Sequence, residues 1–472
     1  MLTGENGIVR QAIESKDNTR GASAKEEIDI WKSNVKMDNL TGSLTAEEEQ
    51  DLLDRLVENG TLKQEEANKL KDGETIKIGK SEISLDETIL PLPENAVLSQ
   101  IPGEYEKVEN GKVIYIMKDA DGDGVIDIPD WTDIEKMRTT YDQFVWVPVQ
   151  NAVAKDDTDL AKKNENGIYP MAVEIEGIDS NGLQNYRGVL YDFSEEIDTE
   201  GEKYVKITAK KYSATSGIRE PAYLTNTSYG DATAYNTVGL TQDLLQQEYN
   251  KMVDKVKKKK GFWVGRYETS NMVGTPTTNY DDELNKSVEA NTTNRVTVIK
   301  GTTIGISTNE SIPNFLNWYR MYEQQKNYSK LALGSTATMT SGIIWGSQWD
   351  QIMIWMKEIE NIRVPAYGKY FVTNSVGYGN YGNISGAEEY DTATSEIEPA
   401  TTGSSENFKV KNVYDLAGNV LDWSLEGLGY IGRMLKGACF DCTDSSKAKA
   451  SMLDNNMPIG GSIHLGSRIT LY

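Results

Sequence analysis

The chain holds one histidine, His464, and two cysteines, Cys439 and Cys442, in 472 residues. A single imidazole excludes any metal centre that needs two or three of them. Two thiols cannot staple a disulfide scaffold. No run of eighteen apolar residues occurs, and no signal-peptide pattern is found. Basic residues are scarce, 49 against 72 acidic ones, for a net charge of −23. Such a surface repels phosphate backbones, so nucleic acid is not an expected partner. It suits a protein that must stay soluble outside the cell. Apolar residues make up 38% of the chain, enough for real cores, and the length predicts two or three domains. No internal repeat is found.

Acidic residues concentrate at Asp119-Ala120-Asp121-Gly122-Asp123-Gly124-Val125-Ile126-Asp127-Ile128-Pro129-Asp130. Positions 1, 3, 5, 9 and 12 of this twelve-residue stretch are Asp, and position 6 is Gly, as in an EF-hand or dockerin-like loop. The expected cofactor is Ca²⁺, held by Asp119, Asp121, Asp123, the Val125 carbonyl, Asp127 and Asp130. Ile126 would face the core. The bland alternative, an acidic linker turn, leaves the placing of Gly124 and Ile126 unexplained.

Ile8, Val9, Ala12 and Ile13 form a helical apolar stripe. Thr45-x-x-Glu48 reads as a capping box ahead of Leu52, Leu53, Leu56 and Val57. Asn59-Gly60 ends that helix, Thr61-x-x-Gln64 opens a second, and Gly73 closes it. Thr75 to Ile78 alternates like a strand. This hairpin is too small to stand alone and is expected to pack on the stalk or on a small sheet. Residues 150–250 and 370–408 are rich in turn formers and read as surface loops. Lys255 and Lys257 to Lys260 read either as a polyanion patch or, in the favoured reading, as the solvated end of a helix starting at Thr241.

Cys439 and Cys442 form a Cys-x-x-Cys pair without the βαβ pattern of a redox protein or a second pair for zinc. A disulfide between them would close a tight loop. His464 reads as an exposed loop residue, and no Ser or Cys is seen with a second base beside it.

One block dominates the C-terminal part: Asn412-Val413-Tyr414-Asp415-Leu416-Ala417-Gly418-Asn419-Val420-Leu421-Asp422-Trp423-Ser424. Arg433-Met434-Leu435-Lys436-Gly437-Ala438 follows, and then Gly466-Ser467-Arg468. With Phe144 to Val149, Gly261 to Asn271, Pro313 to Trp318 and Trp345 to Asp350, this order resembles the formylglycine-generating-enzyme family. The resemblance implies an α+β, C-type-lectin-like head, with Trp146 and Trp423 buried. Met1 to Ile8 resembles the segment after the membrane-spanning half-helix of type IV pilin-like proteins, which implies a surface protein anchored by a preceding helix. The expected organisation is a pilin-like helical stalk over 1–44, a hairpin and small strands over 45–100, a calcium-loop linker over 101–140, and the head over 141–472.

Oxidase members of that family bind copper through a Cys pair five residues apart. Aligned here, Cys442 falls near the first position and Lys447 at the second, which cannot ligate copper as a thiolate does. Other members carry C-terminal loops rewritten by diversity-generating retroelements, which act mainly on AAY codons. Cys439-Phe440-Asp441-Cys442, Leu453-Asp454-Asn455-Asn456 and Ile459 to Leu465 contain only residue types reachable from such codons. Lys436, Lys447, Lys449, Met452 and Met457 would be fixed framework. The resemblance therefore implies a non-enzymatic surface protein whose loops 437–468 bind an unknown protein or glycan, within a pilus or anchored assembly. The expected face comprises Cys439, Phe440, Asp441, Cys442, Asp444, Leu453, Asp454, Asn455, Asn456, Ile459, Ser462, His464 and Leu465. The alternative is a metal-dependent oxidase of the same family.

Overall fold

The computed structural model describes residues 15–28, 46–71, 76–83, 90–105, 111–127, 130–154, 168, 170–173, 189–197, 203–211, 218–220, 239–270, 295–301, 317–356, 372, 375–381, 399–428, 432–442, 448–458, 462 and 464–472. Among them no helix is long and apolar enough to cross a membrane. The chain divides into two compact units, Met1–Leu92 with Ala96–Leu98, and Pro93–Asn95 with Ser99–Tyr472. The fold class is α+β, with helices and largely antiparallel sheets.

In the smaller unit, residues 15–28 are helical, and two helices follow, Ala46–Glu58 and Gln64–Lys71. The Ile8 to Ile13 stripe lies outside the described residues, as do Thr45 and Gly73. Ala24 and Ile28 share one buried cluster with Leu52, Leu53, Leu56, Leu70, Ile76, Ile78 and Ile83. The hairpin thus packs on both the first helix and the small sheet, Ile76–Ile78 against Ser81–Ile83. Gly60 ends the middle helix at φ 74°, the left-handed position glycine takes without strain. The capping box of the next helix differs from the expected Thr61/Gln64 pair. Glu66 reaches back to the Lys63 N–H at 2.7 Å, so the box sits two residues later. The same carboxylate receives Arg20 through two hydrogen bonds of 2.6 and 3.0 Å, which ties the first helix to the third.

In the larger unit five strands stand side by side in one antiparallel sheet. Their order is Ser341–Ile343, Ile469–Leu471, Gly261–Gly265, Asp142–Pro148 and Val113–Ile116. Val113–Ile116, in the stretch read from sequence as linker, is therefore a fully buried strand of this sheet. Trp146 lies opposite Trp263, with ring centroids 5.0 Å apart. A side chain at Gly261 would collide with the Trp146 indole, so that position is confined to glycine. Trp146 and Trp423 are both buried, as the block alignment requires. Each indole removes a large apolar area from water.

A second sheet runs Ile218–Arg219, Leu421–Leu428, Gly432–Lys436 and Leu453–Asn456, with Leu465–Ser467 parallel to Leu421–Leu428. The long insertion is not all loop. Val189–Ile197 and Lys203–Lys211 pair residue for residue as a nine-rung antiparallel hairpin. The β-formers Val189, Tyr191, Phe193, Tyr204, Val205 and Ile207 carried that signal within a polar stretch.

Helix Gln242–Lys259 starts on Thr241, whose side chain accepts from the Leu244 N–H, and ends on Lys260 at φ 58°. Its lysine-rich end is a helix end, as expected, but only partly solvated. Lys255 donates to the Thr338 and Tyr472 carbonyls and to Thr340 Oγ1. Burial pushes the Lys255 ammonium down to about 8. Lys257 and Lys258 remain exposed.

Candidate functional site

The signature block turns on backbone that few side chains tolerate. Lys411, Asn412, Asp415 and Asn419 all have positive φ, and Gly418 lies at φ 78°. Asn419 explains its own identity. Its side-chain oxygen accepts from the Ala400 N–H at 2.8 Å, and its Nδ2 donates to Glu268 Oε2 at 2.7 Å. Arg468 fastens the terminal strand to the block. It donates to the carbonyls of Gly265, Tyr414 and Asp415 at 3.0, 2.9 and 3.1 Å, and Nε lies 3.3 Å from Asp422 Oδ2. Arg468 is fully buried, so its charge depends on these partners. Burial pushes the Asp415 and Asp422 carboxyls up to about 6. Glu268 is pushed up as well, first by burial and then by the Asp415 and Asp422 charges.

Above this base run the C-terminal loops. Gly437 N–H donates to the Met452 carbonyl, Phe440 N–H to Asn419, and Leu421 N–H to His464. Trp318 N–H reaches the Pro458 carbonyl at 2.9 Å, and its indole N–H reaches Ser424 at 3.0 Å. Arg433 lies over the Trp318 ring, 3.9 Å from its centroid. Lys436 pairs with Glu426 in the interior. Lys436 is thus tied into the interior by its side chain, whereas Met452 contributes its backbone carbonyl.

The expected face divides. Asp441, Asp454 and Asn455 are exposed, and Cys439, Leu453, Asn456, Ser462 and His464 are partly exposed. Phe440, Leu465 and Cys442 are buried, at 2, 6 and 8% exposure, which corrects their assignment to the expected binding face. The cause is the loop's anchoring. Phe440 is held at Asn419, and Leu465 sits in the strand paired with Leu421. Asp444 and Ile459 lie outside the described residues.

His464 also departs from expectation. Its side chain is about one-third exposed and stacks on Phe440, with centroids 5.0 Å apart and planes 15° from parallel. Its Nε2 lies 2.9 Å from Asp441 Oδ2, and its Nδ1 lies 2.9 Å from Ser462 Oγ. Cys439 Sγ donates to the other Asp441 oxygen at 2.8 Å. Burial, reinforced by the Asp441 hydrogen bond, pushes the Cys439 thiol up. No disulfide joins the two cysteines, and the Cys442 N–H turns onto the Cys439 carbonyl at 3.1 Å. Sequence reading missed this chain of contacts. The Ser-x-His spacing was visible, but Asp441 joins it only through the fold.

In the acidic loop, Asp119, Asp121 and Asp127 bring carboxylate oxygens within 4.8 Å of one another. Asp119 accepts from the N–H groups of Gly122, Asp123 and Gly124, and these bonds, led by Gly124, hold its carboxyl below the usual range. Gly122 and Gly124 supply the positive φ this turn needs. Asp123 turns to the Val125 N–H, and Asp130 to the Thr132 N–H and hydroxyl. Val125 and Ile126 are 65 and 44% exposed, so Ile126 does not face the core. Three close carboxylates fit a hard divalent cation, with Asp123 and Asp130 needing to leave local turns to join them.

No protein-family model matches this chain, and no curated protein matches it. The solved structures similar to it include three that match less than half of it. Treponema denticola variable protein 1 is 13% identical, with a TM-score of 0.24, over 44% of this chain and 95% of that protein. CarF is 10% identical, with a TM-score of 0.25, over 45% of this chain and 86% of that one. PvdO from Pseudomonas aeruginosa is 13% identical, with a TM-score of 0.27, over 45% of this chain and 81% of that one.

Proposed function

We propose that this chain captures a protein or glycan ligand at a C-type-lectin-like head, using the side chains of its C-terminal loops. The single observation that carries the reading is the division of residues 439–464. Asp441, Asp454 and Asn455 are exposed, while Phe440, Leu465 and the Arg468 network lock the backbone beneath them. A rigid base under exposed, exchangeable side chains is what a recognition surface requires, because pre-ordering lowers the entropy lost on binding. The block order of the formylglycine-generating-enzyme family supports the head's fold, and the residue types of loops 437–468 support retroelement diversification.

The same reading makes the protein extracellular, displayed through its pilin-like N-terminal segment within a pilus or on a membrane anchor. With a net charge of −23 it would not engage nucleic acid. Ca²⁺ would be held by Asp119, Asp121 and Asp127, with Asp123, Asp130 and the Val125 carbonyl completing the shell. It would stiffen the loop by neutralising these charges.

The test incubates the full chain and the Asp454→Ala/Asn455→Ala variant with one array of glycans and peptides. The reading expects array features bound by the wild type and lost in a variant of unchanged melting temperature. Equal binding by the two proteins, or none by either, counts against it.

A further inference from the structure

We propose that Ser462, His464 and Asp441 form a nucleophilic relay that gives this face an acyl-transfer activity on small carboxylic esters. The inference goes beyond ligand capture and does not depend on it. Three contacts carry it. Ser462 Oγ lies 2.9 Å from His464 Nδ1, His464 Nε2 lies 2.9 Å from Asp441 Oδ2, and Cys439 Sγ lies 2.8 Å from Asp441 Oδ1. An ionised carboxylate only accepts, so Nε2 carries the imidazole proton and Nδ1 presents its lone pair to the serine hydroxyl. A nucleophile, a base within hydrogen-bond reach and a third group orienting that base define an activated serine by geometry, whatever the sequence order.

The relay is held from several sides. The Phe440 ring, 2% exposed, stacks on the imidazole. Phe440 N–H is fixed to Asn419, and the His464 carbonyl to Leu421 N–H, so both rings hang from the same buried block. His464 N–H donates to Ser462 Oγ at 3.3 Å, which restrains the hydroxyl's rotamer. Asp441 is held by the Cys439 thiol, which burial keeps protonated as a donor. Cys439 and Phe440 act as positioning residues. Asp441 and His464 keep 47 and 33% side-chain exposure, so a small molecule reaches the relay.

The chemistry balances without a further reactant. Ser462 Oγ bonds to the ester carbonyl carbon as its proton passes to His464 Nδ1. The ester C–O bond breaks, and the leaving alkoxide takes that proton. Water then attacks the acyl-serine, giving its proton to Nδ1 and onward to Ser462 Oγ, and the acid is released. The chain's net charge of −23 favours neutral or cationic esters over anionic ones.

The test treats the full chain with a biotinylated fluorophosphonate, which loses fluoride to an activated serine, and maps the adduct by peptide mass spectrometry. In parallel, p-nitrophenyl acetate hydrolysis is followed for wild type, Ser462→Ala and His464→Gln. The adduct is expected on Ser462, with hydrolysis falling at least about tenfold in both variants. No adduct on the wild type, an adduct on another residue, or undiminished hydrolysis by Ser462→Ala would overturn the inference. The wild-type adduct needs no variant to fold, and it is read whether or not any array ligand is captured.

Discussion

Phe440 and His464 lie face to face, 5.0 Å between ring centroids, one ring buried and the other partly open to solvent. Neighbouring positions of the loops therefore do different work. Phe440 and Leu465 hold the backbone, and Asp454 and Asn455 meet the solvent.

Substitution should separate the two groups. Phe440→Ala and Leu465→Ala should each lose about 2–5 kcal/mol of folding stability, because each empties a filled interior site. Asp454→Ala and Asn455→Ala should stay within about 0.5 kcal/mol of the wild type. Denaturant titration of the four variants checks this. Equal losses at all four positions would make the loop uniform and refute the division.

Arg468 should be among the least replaceable side chains. Arg468→Ala leaves Asp422 buried beside a cavity and frees three carbonyls, for an expected loss of about 3–5 kcal/mol. Arg468→Lys should not rescue it, since one ammonium cannot reproduce the planar fork. A melting temperature of Arg468→Lys equal to wild type would contradict this.

Stability should peak in mildly acidic solution. Burial pushes the folded Asp415 and Asp422 carboxyls up to about 6, above the ordinary aspartate value of 3.8. The folded state therefore holds their protons longer than the unfolded state. Their contribution is full below about pH 4 and is lost as pH rises through about 6. Glu406 is opposite. Despite the opposing cost of burial, hydrogen bonds from Lys409 and Tyr414 hold it near 2, so its contribution is present above about 4.5 and lost as pH falls towards 2. Melting temperature against pH should thus rise from pH 3 to about 5 and fall towards 7. Asp415→Asn should flatten the fall, and an unchanged slope in that variant would sink the assignment.

Calcium should raise the melting temperature over that in EGTA, since a ligand that binds only folded protein stabilises it. Asp121→Ala should erase the difference. Identical melting of the wild type in both solutions would remove the site.

Much of the head was legible because its residues must be what they are. Trp146, Trp423, Asn419 and Arg468 sit in blocks whose spacing reflects shared packing, a left-handed turn or one buried guanidinium. The hairpin of Val189–Ile197 and Lys203–Lys211 was obscured because its β-formers do not alternate strictly and lie within a stretch rich in turn formers. The depth of Phe440 and the partners of His464 were not legible. Both depend on contacts with Asn419 and Leu421, distant in sequence, which periodicity cannot report. Glu66 capping Lys63 escaped because Thr61 offered a better-known pattern two residues earlier.

The binding-face reading is tested most directly by randomising Asp441, Asp454, Asn455 and Asn456 together in the surface-displayed full chain and selecting against lysozyme, an arbitrary target. The account predicts that most library members fold and that lysozyme binders emerge, each losing capture when those four positions are restored. A library that mostly unfolds, or capture that survives restoration, would contradict it.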